Sequence, residues 1–537
     1  MAFLTQKKSL IFGAFMILVF SLVQVHAKPF PKNFTWGVAT ASYQIEGAAF
    51  IDGKGLNIWD NFTKYPGVIR NNDTGEVADD FYHKYPEDIK LMKQLGIKNF
   101  RMSLSWARIF PDGTKDNINQ KGVDFYNNVI NALLAAGIEP WVTLFHWDLP
   151  NAFNDRTANS TWLNPDIVNK FNDYADFCFK TFGDRVKYWI TFNEIHTFAW
   201  IGYGQGTFAP GRCSPSYQQW CQEIGGGGDS GTEPYIVAHH ALLSHAQAVN
   251  TYRTKYQKTQ KGLIGLTIDS FFGEPYDANN PDDVAAVETY VQFFYGWFGD
   301  PVVFGKYPDV MVNYTNGRLP TFTAEQSALL KGSHDFLGLN HYTSMFVKHT
   351  GVQGTDYNSD PRVILSDKNI NGTQIGAPSD SSWLFVYPPG IRKMLNWIDK
   401  RYNHPPIYIF ENGVSCPGES QLPIAQALKD TFRVNYLKDY ISNVVNAVVQ
   451  DNVDVRGYFV WSLMDNFEWA DGYSVRFGIT YVDYTSPNLT RYPKESAYFY
   501  SALIRSLSQG KSYEGINIGE TEVIIEEPEE SLKFLSA

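Results

Sequence analysis

The chain has 537 residues, a net charge of −11, 19% charged residues and 16% aromatic residues. This is a globular composition with ample material for a core, long enough for one large barrel or several small domains. The acidic balance excludes a nucleic-acid partner, whose phosphates need a basic surface, and four cysteines are too few for a disulfide-built scaffold.

In chain order, Lys7-Lys8 lead into an apolar stretch at 10–23, and Val25-His26-Ala27 offers small residues for cleavage. The stretch is short for a bilayer, so 1–27 reads as a cleaved secretory signal with no membrane anchor. Sequons at Asn33, Asn61, Asn72, Asn159, Asn313, Asn371 and Asn488 fit an extracellular or lysosome- or vacuole-like destination. β-prone apolar runs follow at 35–41, 99–105, 139–145, 188–192, 263–268, 336–339, 407–410 and 455–461. Amphipathic stretches at 85–95, 122–136, 165–182, 235–255 and 425–450 lie between them. Eight strands alternating with helices predict an α/β fold, a single parallel (β/α)8 barrel. Doubly wound sheets share the alternation, but the count of eight and the placement of polar motifs after many different strands favour the barrel.

The segments 202–232 and 343–382 are rich in Gly, Ser, Asp and Pro and read as surface loops around a pocket mouth. Cys213 and Cys221 lie close together in the first of these and are the expected disulfide. Cys178 sits in a helical pattern and reads as a buried free thiol, while Cys416 fits either state. His239, His240 and His245 have helical spacing but no carboxylate or cysteine partner, so they are taken as structural, and no metal or other cofactor is implied. The barrel is expected over 28–510, with an acidic extension at 511–537.

The sharpest signals are Thr191-Phe192-Asn193-Glu194 and Tyr408-Ile409-Phe410-Glu411-Asn412-Gly413, two apolar runs that each end on a glutamate. A carboxylate just past a buried strand is poorly solvated, so its pKa can move. Two such groups facing each other can cleave a glycosidic bond. Taken singly, each glutamate would more plainly cap a strand and form a surface ion pair. The company they keep argues otherwise: Gly37-Val38-Ala39-Thr40-Ala41-Ser42-Tyr43-Gln44-Ile45-Glu46-Gly47, Arg101-Met102-Ser103-Leu104-Ser105-Trp106, His146-Trp147-Asp148-Leu149-Pro150, Asn340-His341-Tyr342 and the run from Trp461 to Trp469. At these residues, and in their order from Phe30 to about Leu507, the chain resembles glycoside hydrolase family 1, the retaining β-glucosidases.

The resemblance implies Glu194 as acid/base and Glu411 as nucleophile, with Arg101 and Tyr342 supporting the nucleophile. It implies that Asn193 donates to the sugar 2-hydroxyl, that Gln44, His146 and Glu468 hold other hydroxyls, and that Trp461 and Trp469 flank the ring. Asn340 belongs to the same expected sugar site, and Trp383 is the candidate aglycone platform. Alone, Arg101 would read as a structural ion-pair partner, Tyr342 as a core tyrosine and His146 as a satisfied core histidine. Glu194 stands where the family's plant thioglucosidases carry glutamine, so the chain looks like an O-glycosidase. Phe410 departs from the family's usual threonine before the nucleophile. The expected substrate is a small-molecule or oligosaccharide β-glucoside. The rival readings are a transglucosidase on the same site, or a glycan-binding barrel without catalysis.

Overall fold

The computed structural model describes residues 30–218 and 220–508. The expected signal segment and the acidic extension lie outside the described residues. Eight parallel strands close into a barrel: β1 (Thr35–Ala39), β2 (Asn99–Ser103), β3 (Glu139–Phe145), β4 (Tyr188–Asn193), β5 (Leu263–Asp269), β6 (Phe336–Asn340), β7 (Ile407–Asn412) and β8 (Val455–Trp461). Each strand pairs with its neighbours in sequence, and β8 returns to β1 with Ala39 opposite Trp461. This is the predicted parallel barrel. Strand buried on both faces explains why these segments read as continuous apolar runs.

Aromatic rings fill the barrel interior. Trp141, Tyr408, Phe410 and Phe459 pack together, with Trp141 5.2 Å from Phe459 and 5.8 Å from Phe410 between ring centres. Glycines make the room: a Cβ on Gly37 would come 2.4 Å from the Phe459 ring, and one on Gly338 would meet Phe410 at 2.8 Å. Phe410 therefore fills the floor directly beneath the site, with the Arg101 guanidinium 5.6 Å from its ring centre. A ring takes the place of the family's usual hydroxyl.

Three expectations are corrected. The helix predicted from 85 begins earlier, spanning Phe81–Gln94. Pro86 sits inside it, in the second turn. The stretch predicted as one helix over 425–450 is two, Ile424–Ala427 and Thr431–Val449. Asp430 breaks it: its carboxylate is drawn to Arg433 and to the Ser496 backbone N–H at 2.8 Å, and its ψ of 52° is not helical. The segment 343–382 is more than loop. Ser344–His349 pairs antiparallel with Val363–Ser366 and parallel with Phe272–Pro275, making a three-stranded sheet beside the barrel mouth.

Cys213 and Cys221 are joined as a disulfide, and Cys178 and Cys416 are buried and free. The three helix histidines are tied to the protein itself. His245 reaches Thr191 Oγ1 and the Ser333 carbonyl at 2.7 Å each, His239 reaches the Tyr307 hydroxyl, and His240 the Trp162 carbonyl. A buried charge network fastens the loop after β8, with Lys494 joined to Glu419 and 2.8 Å from Asp465, and Arg433 2.6 Å from Glu419. No helix among the described residues is long and apolar enough to cross a membrane.

Candidate active site

The C-terminal ends of the strands open into one cavity of about 740 Å³. Both motif glutamates line it, together with His146, Asn340, Tyr342, Trp383, Trp461, Glu468 and Trp469. Glu194 directly follows β4 and precedes the helix Ile195–Tyr203, with φ 46° and ψ 69°. Trp147 and Trp469 also have left-handed backbones, at φ 74° and 49°. Such conformations cost of order 1 kcal/mol or more each outside glycine, and they collect where a side chain must be aimed. Here they aim three wall residues of one cavity.

Glu411, near the end of β7, is held on both oxygens. Arg101, fully buried on β2, pairs with Oε1, and the Tyr342 hydroxyl donates to Oε2 at 2.7 Å. Arg101 also donates to Asn193 Oδ1 at 2.5 Å and to Thr143 Oγ1 at 3.2 Å. Glu194 has no such cation. Its Oε1 accepts from Asn340 Nδ2 at 2.6 Å, and its Oε2 lies at hydrogen-bond distance, 3.0 Å, from the Thr197 hydroxyl. Burial pushes Glu194 well above the ordinary glutamate range, and the negative charges of Asp269 and Glu411 push the same way. Burial raises Glu411 too, but Arg101, Tyr342 and Asn340 all pull it back. A single proton shared by this pair therefore rests on Glu194.

The polar groups expected to meet a sugar divide into spent and unspent donors. Burial and the Arg101 charge hold His146 well below the usual histidine pKa, so the ring is neutral. Its Nε2 lies 3.1 Å from Asn193 Nδ2, and its Nδ1 has no partner. An acceptor Nε2 makes Nδ1 an unspent N–H donor. Gln44 uses its amide on Asn466 and the Phe467 carbonyl at 3.0 and 2.9 Å, and its Oε1 is unpartnered. Gln44, Asn193 and Arg101 are buried, and Asn193 touches His146 and Asn340, which line the cavity. Burial first, then the charges of Asp471 and Glu411, push Glu468 up to about 8. Trp469 is wedged between Trp147 and Trp59, at 4.4 and 4.6 Å between ring centres.

The outer part of the cavity is apolar. Trp383, 39% exposed, lies parallel to Phe271 at 5.7 Å and edge-on to Tyr342. Phe294, Tyr290, Trp200 and Phe208 continue the wall, and Val363, Ile364 and Leu365 of the small sheet form its lip. The motifs did not single out Asp269, His196, Thr197 and Phe271. The signal for Asp269 was present, since 263–269 is another apolar run ending on a carboxylate. Among the described residues no group of three or more His, Cys, Asp or Glu is placed to hold a metal ion.

The Glycosyl hydrolase family 1 model matches residues 26–509. β-Glucosidase 40 of Arabidopsis thaliana is 47% identical over 485 residues, covering 89% of this chain and 93% of that protein. Raucaffricine-O-β-D-glucosidase of Rauvolfia serpentina is 45% identical, covering 88% and 91%. Among solved structures, a rice β-glucosidase superposes with a TM-score of 0.85 at 46% identity, covering 88% of this chain and 98% of that one. A β-glucosidase from the fungus Humicola insolens in complex with glucose gives 0.86 at 44% identity, with 89% and 98% covered. The chain belongs to glycosyl hydrolase family 1, and it is a β-glucosidase-type glycoside hydrolase.

Proposed function

We propose that the protein hydrolyses terminal non-reducing β-D-glucosyl residues by double displacement, with Glu411 as nucleophile and Glu194 as acid/base. The observation that carries this is the unequal setting of two facing buried carboxylates: Glu411 paired with Arg101, Glu194 crowded by two negative charges. In the first step a Glu411 oxygen bonds to the anomeric carbon as the bond from that carbon to the aglycone oxygen breaks. Glu194 gives its proton to the departing oxygen, and the aglycone leaves as an alcohol or phenol. In the second step a water oxygen bonds to the anomeric carbon, its proton passes to Glu194, and Glu411 leaves as a carboxylate. Bonding Glu411 to the sugar removes its charge, so Glu194 loses a repulsive neighbour and can serve as base.

Asn193 carries one amide hydrogen beyond the contact with His146, and it suits the 2-hydroxyl. The His146 ring and the carboxyl of Glu468 suit the other hydroxyls, and Trp461 and Trp469 the ring faces. Hydrogen bonds to an equatorial 4-hydroxyl are strained by an axial one, so glucosides are preferred to galactosides. An unmade buried hydrogen bond costs roughly 1–3 kcal/mol, about a ten- to hundredfold loss. The disulfide and the exposure of Asn33, Asn72, Asn159, Asn313, Asn371 and Asn488 fit a glycosylated protein of the secretory pathway. NMR of the first product from an aryl β-glucoside tests the mechanism: β-glucose is expected, and α-glucose as the initial anomer defeats it.

A further inference from the structure

Glu194 has a carboxylate neighbour on the side away from Glu411. Asp269 ends β5, opposite Asn340 in register, and the same Asn340 donates to Glu194 Oε1. The Thr197 hydroxyl stands between the two acids, 3.0 Å from Glu194 Oε2 and 3.1 Å from Asp269 Oδ2. Thr197 belongs to the first turn of the helix that starts after Glu194, so local helix geometry sets its reach. Both Thr197 and Asp269 are buried and line the cavity.

Counting hydrogens decides the pattern. Three oxygens in a row make two hydrogen bonds, and a hydroxyl has one hydrogen. Thr197 can donate in only one direction, so the other bond needs a carboxylic hydrogen. Asp269 Oδ2 also lies 2.8 Å from His196 Nδ1, and with the ring hydrogen assigned to Nδ1 the histidine donates to it. The missing hydrogen is then that of Glu194: Glu194 donates to Thr197, and Thr197 donates to Asp269. To protonate the departing oxygen, the Glu194 hydrogen must first leave Thr197 and turn into the cavity, and Oε2 is then open to accept the Thr197 hydrogen in its place.

We propose that Thr197 is a hydroxyl switch: its hydrogen points to Asp269 while Glu194 is an acid and turns to Glu194 when Glu194 becomes the base. The proposal rests on Glu194 being the acid/base. No covalent bond changes at Thr197; its hydroxyl rotates once in each half-reaction and returns when water re-protonates Glu194. Asp269 and Thr197 are positioning residues that act on Glu194 in opposite senses. The charge of Asp269 resists ionisation of Glu194, whereas the Thr197 donor favours it.

The other polar groups facing Glu194 are Glu411 from β7, Asn340 and Tyr342 from the end of β6, and His146 from the end of β3. Around Asp269 stand His196 from the same helix as Thr197, and the hydroxyls of Tyr290 and Tyr357. These remain in every variant below, so they contribute a constant background.

The test is the pH profile of kcat/KM on an aryl β-glucoside. Asp269→Asn removes the charge and can turn an amide N–H toward Thr197, reversing the row; its alkaline limb should move down by about 1 pH unit. Thr197→Val keeps the shape but deletes the hydrogen, so its alkaline limb should move up. Thr197→Ser keeps the hydroxyl and should match the parent profile, which separates the switch from packing. Limbs that stay in place, or that move the same way in Asp269→Asn and Thr197→Val, overturn the proposal. Glu194→Gln is run beside them on good and poor leaving groups. A strong leaving-group dependence with immobile limbs discards the switch alone. No leaving-group dependence discards the role of Glu194 and the switch with it.

Discussion

The inner and outer ends of the cavity are built differently. At the inner end Arg101, Asn193, Asn340 and Glu411 come from strands of the barrel, are buried, and are joined by hydrogen bonds. At the outer end Trp383, Ile364 and Leu365 come from the connections, with 39%, 58% and 40% of their surface exposed, and they offer area rather than hydrogen bonds. A strand locked by two neighbours can hold a carboxylate to a fraction of an ångström, as bond cleavage requires. A connection can change its side chains without disturbing the sheet, as an aglycone site at the outer end would require. The chemistry and the choice of leaving group should therefore be separable by mutation.

The largest effect should come from the inner end. Glu411→Ala is expected to lower kcat on every aglycone, on the order of 10⁴-fold or more, because no glycosyl-enzyme can form. Added azide should restore turnover and yield the α-glucosyl azide, read by NMR. A residual rate that varied with the aglycone would break the separation of the two ends.

Glu194→Gln should be next, with a loss of about 10²–10⁴-fold on alkyl glucosides and far less on dinitrophenyl glucoside, which needs little protonation. In the parent enzyme the rate should fall on the alkaline side as Glu194, raised well above its ordinary pKa by burial, loses its proton. It should fall on the acid side as Glu411 gains one. Equal losses of Glu194→Gln on both substrates would contradict the assignment.

Glu468, at the polar end, should show itself in stability as well. Its folded pKa, about 8, lies above the ordinary 4.5. The unfolded chain therefore gives up this proton first as pH rises, so the stabilisation is fully present below about pH 4.5 and is lost on the way to pH 8. Glu468→Gln should raise stability at pH 8 by about 1–2 kcal/mol, after allowing for water in the cavity, and change little at pH 4. Thermal unfolding at the two pH values checks the sign.

The smallest effect should be at the outer end. Trp383→Ala should reduce kcat/KM on aryl glucosides about 3- to 10-fold, the worth of one aromatic contact, and leave glucosyl fluoride almost untouched. An equal loss on glucosyl fluoride would show that Trp383 also braces Tyr342, which it meets edge-on.

Every barrel strand was legible because its signal is local. A strand buried on both faces must be continuously apolar, and its end is marked by the first polar residue. The same rule marks Glu194 and Glu411, and it marks Asp269 equally well. Asp269 went unnoticed because its significance lies in Thr197 and Glu194, more than seventy residues away in sequence and one hydroxyl away in space. The strands of the small sheet were missed for a related reason. Ser344–His349 and Val363–Ser366 are short and half exposed, and only their mutual pairing makes them strands.

By itself, then, the sequence determined the eightfold alternation and the two glutamates past buried strands, because apolar runs and their ends depend only on neighbours along the chain. Tertiary structure decided which glutamate meets Arg101 and which meets Asp269, that Phe410 lies as a floor under the guanidinium, and where the one proton rests. Those properties are set by charge separation, desolvation and hydrogen-bond count across strands, and none of these is a function of position along the chain.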